Sequence, residues 1–197
     1  MNISNFSLIT AGILSTSAFN AISSGFRGLA NSKIFNSTTM TGNISTPTYL
    51  DKMAQFTSDG ISCMGAANMV FCLTKVFFDH QMNPTNFIRN AFFIPLATRS
   101  IVCLTNYWGI GKSQAEFLDK NLGKIINVAT LVVSIAYLPA LLYTSTIIGT
   151  SGLAYSQATV ISSALSIVIL TCLTVKLDAY CLYKSSKLDA YCLYKSS

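Results

Sequence analysis

Residue types that do chemistry are few in this chain and stand apart from one another. His80 is the only histidine, and the seven Asp and Glu residues are scattered over 197 positions. A metal centre or an acid–base pair needs several such groups that converge on one point. Asp79 and His80 lie just before an Asn-Pro dipeptide, in a stretch that predicts a turn. We therefore expect no catalytic residue, no bound cofactor and no metal site.

The segment GIGKS at 109–113 has the last residues of a phosphate-binding loop. That motif needs a glycine at position 106, where this chain has Asn106, and it needs a preceding strand. Ser113 followed by Glu116 fits a capping box instead, in which side chains satisfy free backbone amides at a helix start. Residues 109–124 are therefore predicted to form an amphipathic connector helix.

The six cysteines show neither metal-ligand nor redox spacing. No two of them form a C-x-x-C pair. Four lie inside apolar segments, where a free cysteine usually behaves as a small buried hydrophobe. Cys181 closely follows the most apolar segment, which makes it a candidate for palmitoylation in a eukaryotic cell.

The composition favours a membrane protein. Charged residues make up 10% of the chain and the mean hydropathy is +0.51, whereas soluble domains carry about 25% charged residues. The formal net charge is +6, but the cations are spread beside apolar segments and form no basic–aromatic motif. We therefore expect a lipid bilayer as the partner of this chain, and no nucleic acid.

Residues 125–175 contain no charged side chain. A continuous helix of this length would measure about 76 Å, against a hydrocarbon core of about 30 Å. The segment is too long for one crossing and fits two crossings joined by a turn. Lysines flank both ends of the segment, which places both ends on one side of the membrane. Because glycines end helices easily, the turn is assigned to Gly149, Thr150, Ser151 and Gly152.

Small residues recur at every fourth position in both halves of this segment. Such rows let two helix backbones approach closely. The predicted packing rows are Ala136, Ala140 and Thr144 in the first helix, and Ala158, Ser162 and Ser166 in the second. Ala and Ser are common here, so the same pattern also arises by chance, and both interpretations stay open.

The N-terminal half of the chain is more polar. Residues 1–46 are rich in Ser, Thr and Asn and contain no acidic residue, which predicts a mostly disordered segment with at most a weak amphipathic helix. Residues 47–60 are predicted to be a polar connector. Residues 61–108 hold two apolar stretches around the Asn-Pro turn and predict a first apolar helical hairpin. Because Arg89 and Arg99 lie within it, both a spanning hairpin and an interfacial one fit.

The C-terminal tail contains the segment KLDAYCLYKSS twice, at 176–186 and at 187–197. An 11-residue period is close to three helical turns, so equivalent tyrosines share one face of a helix. Residues 176–197 are therefore predicted to lie at the membrane interface, with these tyrosines at headgroup level. A recent tandem duplication would also explain the second copy, without any functional requirement for it.

Taken together, these features resemble the inclusion membrane (Inc) proteins of Chlamydia-type intracellular bacteria. The two-lobed apolar module at 125–175, with its short GTSG turn, carries the resemblance. The acid-free N-terminal block also looks like a type III secretion signal. The resemblance implies secretion by the bacterium, insertion into the host vacuole membrane, both termini in the host cytosol, and recruitment of host proteins. Such proteins often carry a long cytosolic coiled coil, and the short tail here has no heptads.

These patterns predict an all-α integral membrane protein with a C-terminal transmembrane helical hairpin that is preceded by a second hairpin, four helices in all. The expected role is non-catalytic: a membrane-embedded interaction or scaffold protein, an effector that displays cytosolic segments to host proteins and can self-associate. One alternative is a small four-helix channel or transporter subunit, in which Arg89 and Arg99 face a polar lumen. A more distant alternative is a lipid-modifying enzyme, whose available polar groups would be His80, Asp79, Glu116 and Asp119.

Overall fold

The chain is all-helical. The computed structural model describes residues 3–30, 49–78, 83–109, 111–150 and 154–196, and over these ranges it contains helices and no strand. The predicted all-α fold is thereby confirmed. The helices are α1 (Ile3–Ala30), α2 (Tyr49–Phe78), α3 (Pro84–Ala91), α4 (Ile94–Trp108), α5 (Lys112–Thr150) and α6 (Ala154–Ser196).

Four of these helices are long and apolar enough to cross a membrane, which is compatible with a multi-pass membrane protein. The candidate spans are Asn5–Leu29, Lys52–Phe78, Ser113–Ile147 and Gln157–Tyr180. Helices α3 and α4 meet at a bend of 44° and together qualify as a broken fifth span. Pro95 lies in the first turn of α4. Because proline has no amide hydrogen to donate to the preceding turn, it explains the bend.

Helices α1 and α2 form an antiparallel pair. Thr16 bonds to Gly65 and Ser23 bonds to Ser58, so residue numbers fall along α2 as they rise along α1. The hairpin that precedes the C-terminal one is therefore α1–α2. The predicted hairpin at 61–108 is instead made of the second part of α2 and the bent α3–α4 pair.

Helices α5 and α6 form the C-terminal hairpin and contribute to the main apolar cluster of the bundle. Leu141 and Ile167 have no exposed surface. The other buried members of this cluster come from three helices and are Ile9, Ile13, Met69 and Ala164. The cluster therefore ties the C-terminal hairpin to the α1–α2 pair.

The predicted turn between α5 and α6 is described only in part. Helix α5 continues through Gly149 and Thr150, so these two residues belong to its last turn. Ser151 and Gly152 lie outside the described residues. The structure thus places the reversal of the chain after residue 150 and before Ala154, where α6 begins.

The segment predicted to be mostly disordered and the predicted polar connector both contain helix. Helix α1 occupies residues 3–30 of the segment predicted to be disordered, and α2 begins at Tyr49, inside the predicted connector. Residues 31–48 lie outside the described part of the chain. The error arose because tertiary packing, rather than composition, stabilises most helices. Half of the apolar window of α1 is buried against other helices.

The predicted connector helix at 109–124 is continuous with the first helix of the C-terminal hairpin. Helix α5 begins at Lys112, and the carbonyl of Gly111 accepts the first helical hydrogen bond from the amide of Ala115. Gly111 therefore occupies the cap position and has a positive φ of 68°. The predicted capping residue, Ser113, lies inside the first turn, where its hydroxyl donates to Gln114.

The two ends of the bundle differ in charge. We call the end near the α5–α6 reversal the tip and the opposite end the base. Charged side chains in contact with one another or adjacent in sequence gather at the base: Arg27, Asp59, Arg99, Asp119, Lys120, Lys124, Lys176 and Asp178. Helix α6 continues from Asp178 to Ser196, about 27 Å beyond the base at 1.5 Å per residue.

The distribution of side chains is inverted relative to a soluble protein. Among the described residues, buried polar and charged side chains outnumber buried apolar ones, and large apolar side chains are exposed on every helix longer than ten residues. Soluble domains bury apolar groups and seldom bury unpaired polar ones. An apolar exterior around a polar interior suits a bundle that is surrounded by lipid.

We expect Leu141→Ala to lower the free energy of unfolding by about 2 kcal/mol, because it leaves a cavity in the apolar cluster. The neighbouring Leu142 is 55% exposed and is the matched control. Leu142→Ala should change the same quantity by less than about 0.5 kcal/mol. Both values are measured by detergent-induced unfolding of the purified protein in mixed micelles. Equal losses from the two variants would contradict the described orientation of α5.

Candidate functional site

One face of α1 is polar and almost completely buried. Thr16, Ser17, Asn20, Ser23 and Ser24 are each at most 3% exposed. They recur three or four positions apart and therefore share one side of the helix. The exposed large apolar side chains of α1 are Ile22, Phe26 and Leu29. Helix α1 thus directs its polar face inward and its bulky apolar face outward.

Five polar side chains join α1, α2 and α5 at the centre of the bundle. The hydroxyl oxygen of Ser23 lies 2.6 Å from that of Ser62 and 3.0 Å from that of Ser58. Ser62 donates to Asn127 Oδ1 over 2.7 Å. Asn127 Nδ2 in turn donates to the hydroxyl of Ser24 over 3.2 Å. A single amide side chain thereby connects all three helices.

The hydrogen bonds continue from this centre toward the tip. Asn20 Nδ2 donates to the hydroxyl of Thr130 over 2.7 Å, and the Ser17 hydroxyl lies 3.4 Å from that of Ser134. Asn20 Oδ1 is buried and has no hydrogen-bond donor within the described part of the chain. We name this array the polar seam; its residues are Thr16, Ser17, Asn20, Ser23, Ser24, Ser58, Ser62, Asn127, Thr130 and Ser134.

A cluster of charged side chains closes the polar seam at the base. Arg27 Nη1 lies 3.0 Å from Asp178 Oδ1, and Arg27 Nη2 lies 3.9 Å from Asp59 Oδ1. The side chains of Arg27 and Asp59 are 8% and 7% exposed, whereas that of Asp178 is 26% exposed. One guanidinium therefore binds carboxylates from α2 and α6. Removing one partner of such a buried pair typically costs about 3–5 kcal/mol.

Gly123 brings the backbone of α5 against this ion cluster. A Cβ atom at Gly123 would overlap the carboxylate of Asp59 and would lie 2.9 Å from Arg27 Nη2. Glycine in a helix interior is about 1 kcal/mol less favourable than alanine. The close approach of α5 to the buried ion pair explains why a glycine stands here, in the middle of a long helix.

Arg99 and Arg89 do not meet in a lumen. Arg99 Nε lies 3.5 Å from Asp119 Oδ1, and its guanidinium lies 5.6 Å from the centre of the Phe56 ring. These contacts fix Arg99 at the base, between α2, α4 and α5. Arg89 is exposed on α3. The two arginines therefore lie apart in this structure, Arg99 at the base and Arg89 on the exposed surface of α3.

The predicted small-residue rows do not form the contact between α5 and α6. Ala136, Ala140, Ala158 and Ser162 are exposed, and Thr144 and Ser166 are half-buried. The buried faces are shifted by one or two positions, to Ser134, Leu141 and Ser145 on α5 and to Ala164, Ile167 and Thr174 on α6. Leu141 of α5 and Ala164 and Ile167 of α6 belong to one buried apolar cluster, so the four-residue spacing of small residues did not identify the buried faces.

The remaining predicted polar groups are also scattered. Asp79 and His80 lie outside the described residues, as does the side chain of Cys181 on α6. Glu116 is exposed, and Asp119 binds Arg99. Across the described ranges, no three His, Cys, Asp or Glu side chains are grouped so as to hold a metal ion.

Sequence reasoning missed the polar face of α1 and its partners on α2 and α5. A signal was present, because Thr16, Asn20, Ser23 and Arg27 recur at helical spacing within the Ser- and Asn-rich block. The same residue types also suit a disordered segment. The helical period of the polar residues, rather than that of the apolar ones, would have predicted the buried face of α1.

In chemical terms, the polar seam consists of hydroxyl and amide groups that already bond to one another. Hydrogen bonds between helices in an apolar environment contribute about 0.6 kcal/mol each on average, and up to about 2 kcal/mol. The polar seam and the ion cluster therefore hold the helices in register and leave the outer surface and the ends of the bundle for other molecules. No protein-family model, curated protein or solved structure matches this chain.

We expect Gly123→Ala to lower the free energy of unfolding by about 2 kcal/mol, since the added Cβ must displace Asp59 from Arg27. Gly25 of α1 is the matched control, because a Cβ there would meet no atom within 4 Å. Gly25→Ala should leave stability unchanged or raise it by up to about 1 kcal/mol. The same detergent-unfolding measurement gives both values, and equal effects would show that α5 does not approach the ion cluster closely.

Proposed function

We propose that this chain is a non-catalytic, membrane-embedded interaction or scaffold protein. In this proposal it is a secreted bacterial effector that is inserted in the host vacuole membrane and displays its base to host cytosolic proteins. The observation that carries the proposal is the division of the surface: the long helices are apolar on the outside, and the charges gather at one end. Such a molecule is anchored by its apolar helices and presents charged side chains for binding at one end.

The lipid-facing surface supports the anchor role. Helices α5 and α6 expose large apolar side chains between the base and the tip: Val128, Val132, Ile135, Leu142, Ile161, Leu165, Ile169 and Leu173. Because the polar seam is buried between the helices and most of its groups bond to one another there, few of these groups face the lipid. The buried interior thus serves adhesion between helices, which is what an anchor requires.

The orientation follows from the positive-inside rule. Arg27, Arg99, Lys120, Lys124 and Lys176 lie at the base, and Lys and Arg are retained on the cytosolic side of a membrane. At the tip, the last turn of α2 carries Lys75. The base therefore faces the host cytosol in this proposal, and the tip faces the vacuole lumen.

Two parts of the base are available for binding host proteins. The end of α4 exposes Tyr107 and Trp108, at 86% and 65%, and exposed aromatic residues are frequent anchors of protein interfaces. The second part is the length of α6 beyond Asp178. Residues 3–30 are less suited to this role, because α1 is packed into the bundle.

The direction of α1 fixes where the N-terminus lies. Asn20 bonds to Thr130 and Ser24 bonds to Asn127, so α1 runs antiparallel to α5 and its first residues lie near the tip. The C-terminal part of α6 lies at the base. The proposal therefore places the N-terminus in the vacuole lumen and the C-terminus in the cytosol, whereas the family resemblance implies that both termini are cytosolic.

Protease protection tests this topology in vacuoles isolated from infected cells, with epitope tags at four positions. Tags at the C-terminus and between α1 and α2 should be digested from the cytosolic side. Tags at the N-terminus and between α5 and α6 should be protected until detergent is added. Digestion of both terminal tags without detergent would contradict the proposed topology.

Secretion is tested separately with a reporter enzyme fused after residues 1–40. The fusion should leave the bacterium only when the type III apparatus is intact. The same reporter without residues 1–40 is the control and should stay inside. Export by a strain that lacks the apparatus would exclude the effector part of the proposal and leave the anchor part intact.

The buried polar seam favours a second candidate function, a small channel or transporter subunit. Polar residues inside a membrane bundle commonly line pathways for ions or solutes. In that case purified protein should carry ion flux in liposomes, and Asn127→Ala should change the flux because Asn127 bridges three helices. Asn121→Ala is the control, since the Asn121 amide bonds only within α5. An absence of flux from the intact protein would exclude this candidate.

A further inference from the structure

A shallow groove runs along the outer face of α5 at the base. It has a volume of about 460 Å³ and is lined by Phe117, Asn121, Lys124, Ile125, Val128 and Ala129. These residues recur three or four positions apart and therefore form one continuous helix face. One end of the groove is aromatic and cationic, and the other end is apolar.

The buried ion cluster indicates where the groove lies along α5 relative to the membrane surface. Lys124 follows Gly123, whose backbone lies against Asp59 and Arg27. Lys124 therefore lies at the level where the charged residues of the base begin. Ile125, Val128 and Ala129 extend from there toward the tip, whereas Phe117 lies on the side of the aqueous phase. In the proposed membrane, the groove crosses the boundary between headgroups and hydrocarbon.

The cationic end of the groove has two lysines close by, and the exposed Glu116 lies one helical turn before the first of them. Lys120 and Lys124 are exposed and one helical turn apart. Within the described part of the chain, neither forms an ion pair, and the adjacent Asp119 binds Arg99 instead. Asn121, between the two lysines, donates its amide to the carbonyl of Phe117 over 2.9 Å. Lys124 thus lines the groove itself, and Lys120 lies one helical turn closer to the aqueous phase.

We propose that this groove binds one anionic phospholipid of the leaflet at the base. The lipid phosphate lies between Lys120 and Lys124, the Phe117 ring packs beside the headgroup on the aqueous side, and an acyl chain follows Ile125, Val128 and Ala129. This inference rests on the membrane-insertion part of the proposed function and is independent of secretion and of host partners.

A phospholipid suits the groove better than an acidic protein segment does. The apolar floor lies on the tip side of the charges, at the depth of the acyl chains, where a water-soluble segment has no access. Cationic side chains at the cytosolic membrane surface attract anionic lipids. The charged headgroup therefore matches the cationic end of the groove, and the acyl chain matches the apolar end.

The full-length protein is reconstituted in phosphatidylcholine bilayers that contain a minor fraction of phosphatidylserine, and retained lipids are counted by native mass spectrometry. We expect one tightly retained phosphatidylserine per chain. Lys124→Gln should weaken its retention about fivefold, and Lys120→Gln with Lys124→Gln about thirtyfold, since each lysine near an anionic surface contributes about 1 kcal/mol. Ala129→Phe, which fills the apolar floor, should also lower retention.

Two matched controls separate a site from general surface charge. Lys176→Gln removes an exposed lysine at the base on α6, and Ala136→Phe enlarges an exposed alanine of α5 outside the groove. Neither should change retention. A loss with Lys176→Gln as large as with Lys124→Gln would overturn the proposal. So would normal retention in Ala129→Phe, which would show that no acyl chain lies on the apolar floor of the groove. A failure of secretion or of host binding would leave these outcomes unaffected.

Discussion

The structure depends on polar contacts between helices in a bundle whose outer surface is apolar. Apolar side chains of α5 and α6 gain little by leaving lipid for the interior, because both surroundings are hydrocarbon. Hydrogen bonds such as those that Asn127 makes to Ser62 and Ser24 find no substitute in lipid. The ion cluster around Arg27 has the same property. These contacts therefore select one arrangement of α1, α2, α5 and α6 from the many that shape alone would allow.

The polar seam and the charged base act on different scales. The polar seam sets the register between α1 and its neighbours to within one residue, because a shift of α1 would leave Ser23 and Asn20 without their partners. The charges at the base set the position of the whole bundle relative to the membrane surface. Gly123 links the two, since it lets α5 lie against the ion cluster while Lys124 faces outward.

The C-terminal half of the fold was readable from the sequence, and the N-terminal half was not. The absence of charge over residues 125–175 has one simple physical solution, a helical hairpin, which the structure contains. Helix α1 was missed because its stabilising groups are hydroxyls and amides that gain value only when α2 and α5 are present. The packing rows failed for a related reason: Ala136 and Ala140 are small enough to face a helix but equally tolerant of lipid, so spacing alone did not determine their side.

The buried polar face of α1 also constrains the order in which the bundle assembles. A lone α1 in hydrocarbon would leave Thr16, Asn20 and Ser23 without hydrogen-bond partners and would expose the charge of Arg27, so it is a poor candidate for independent insertion. On α5, Thr130 and Ser134 also donate to carbonyls of their own helix, and Asn127 is the side chain that bonds to other helices. We therefore expect α1 to take its place in the bundle after α2 and α5, because those two helices supply its hydrogen-bond partners.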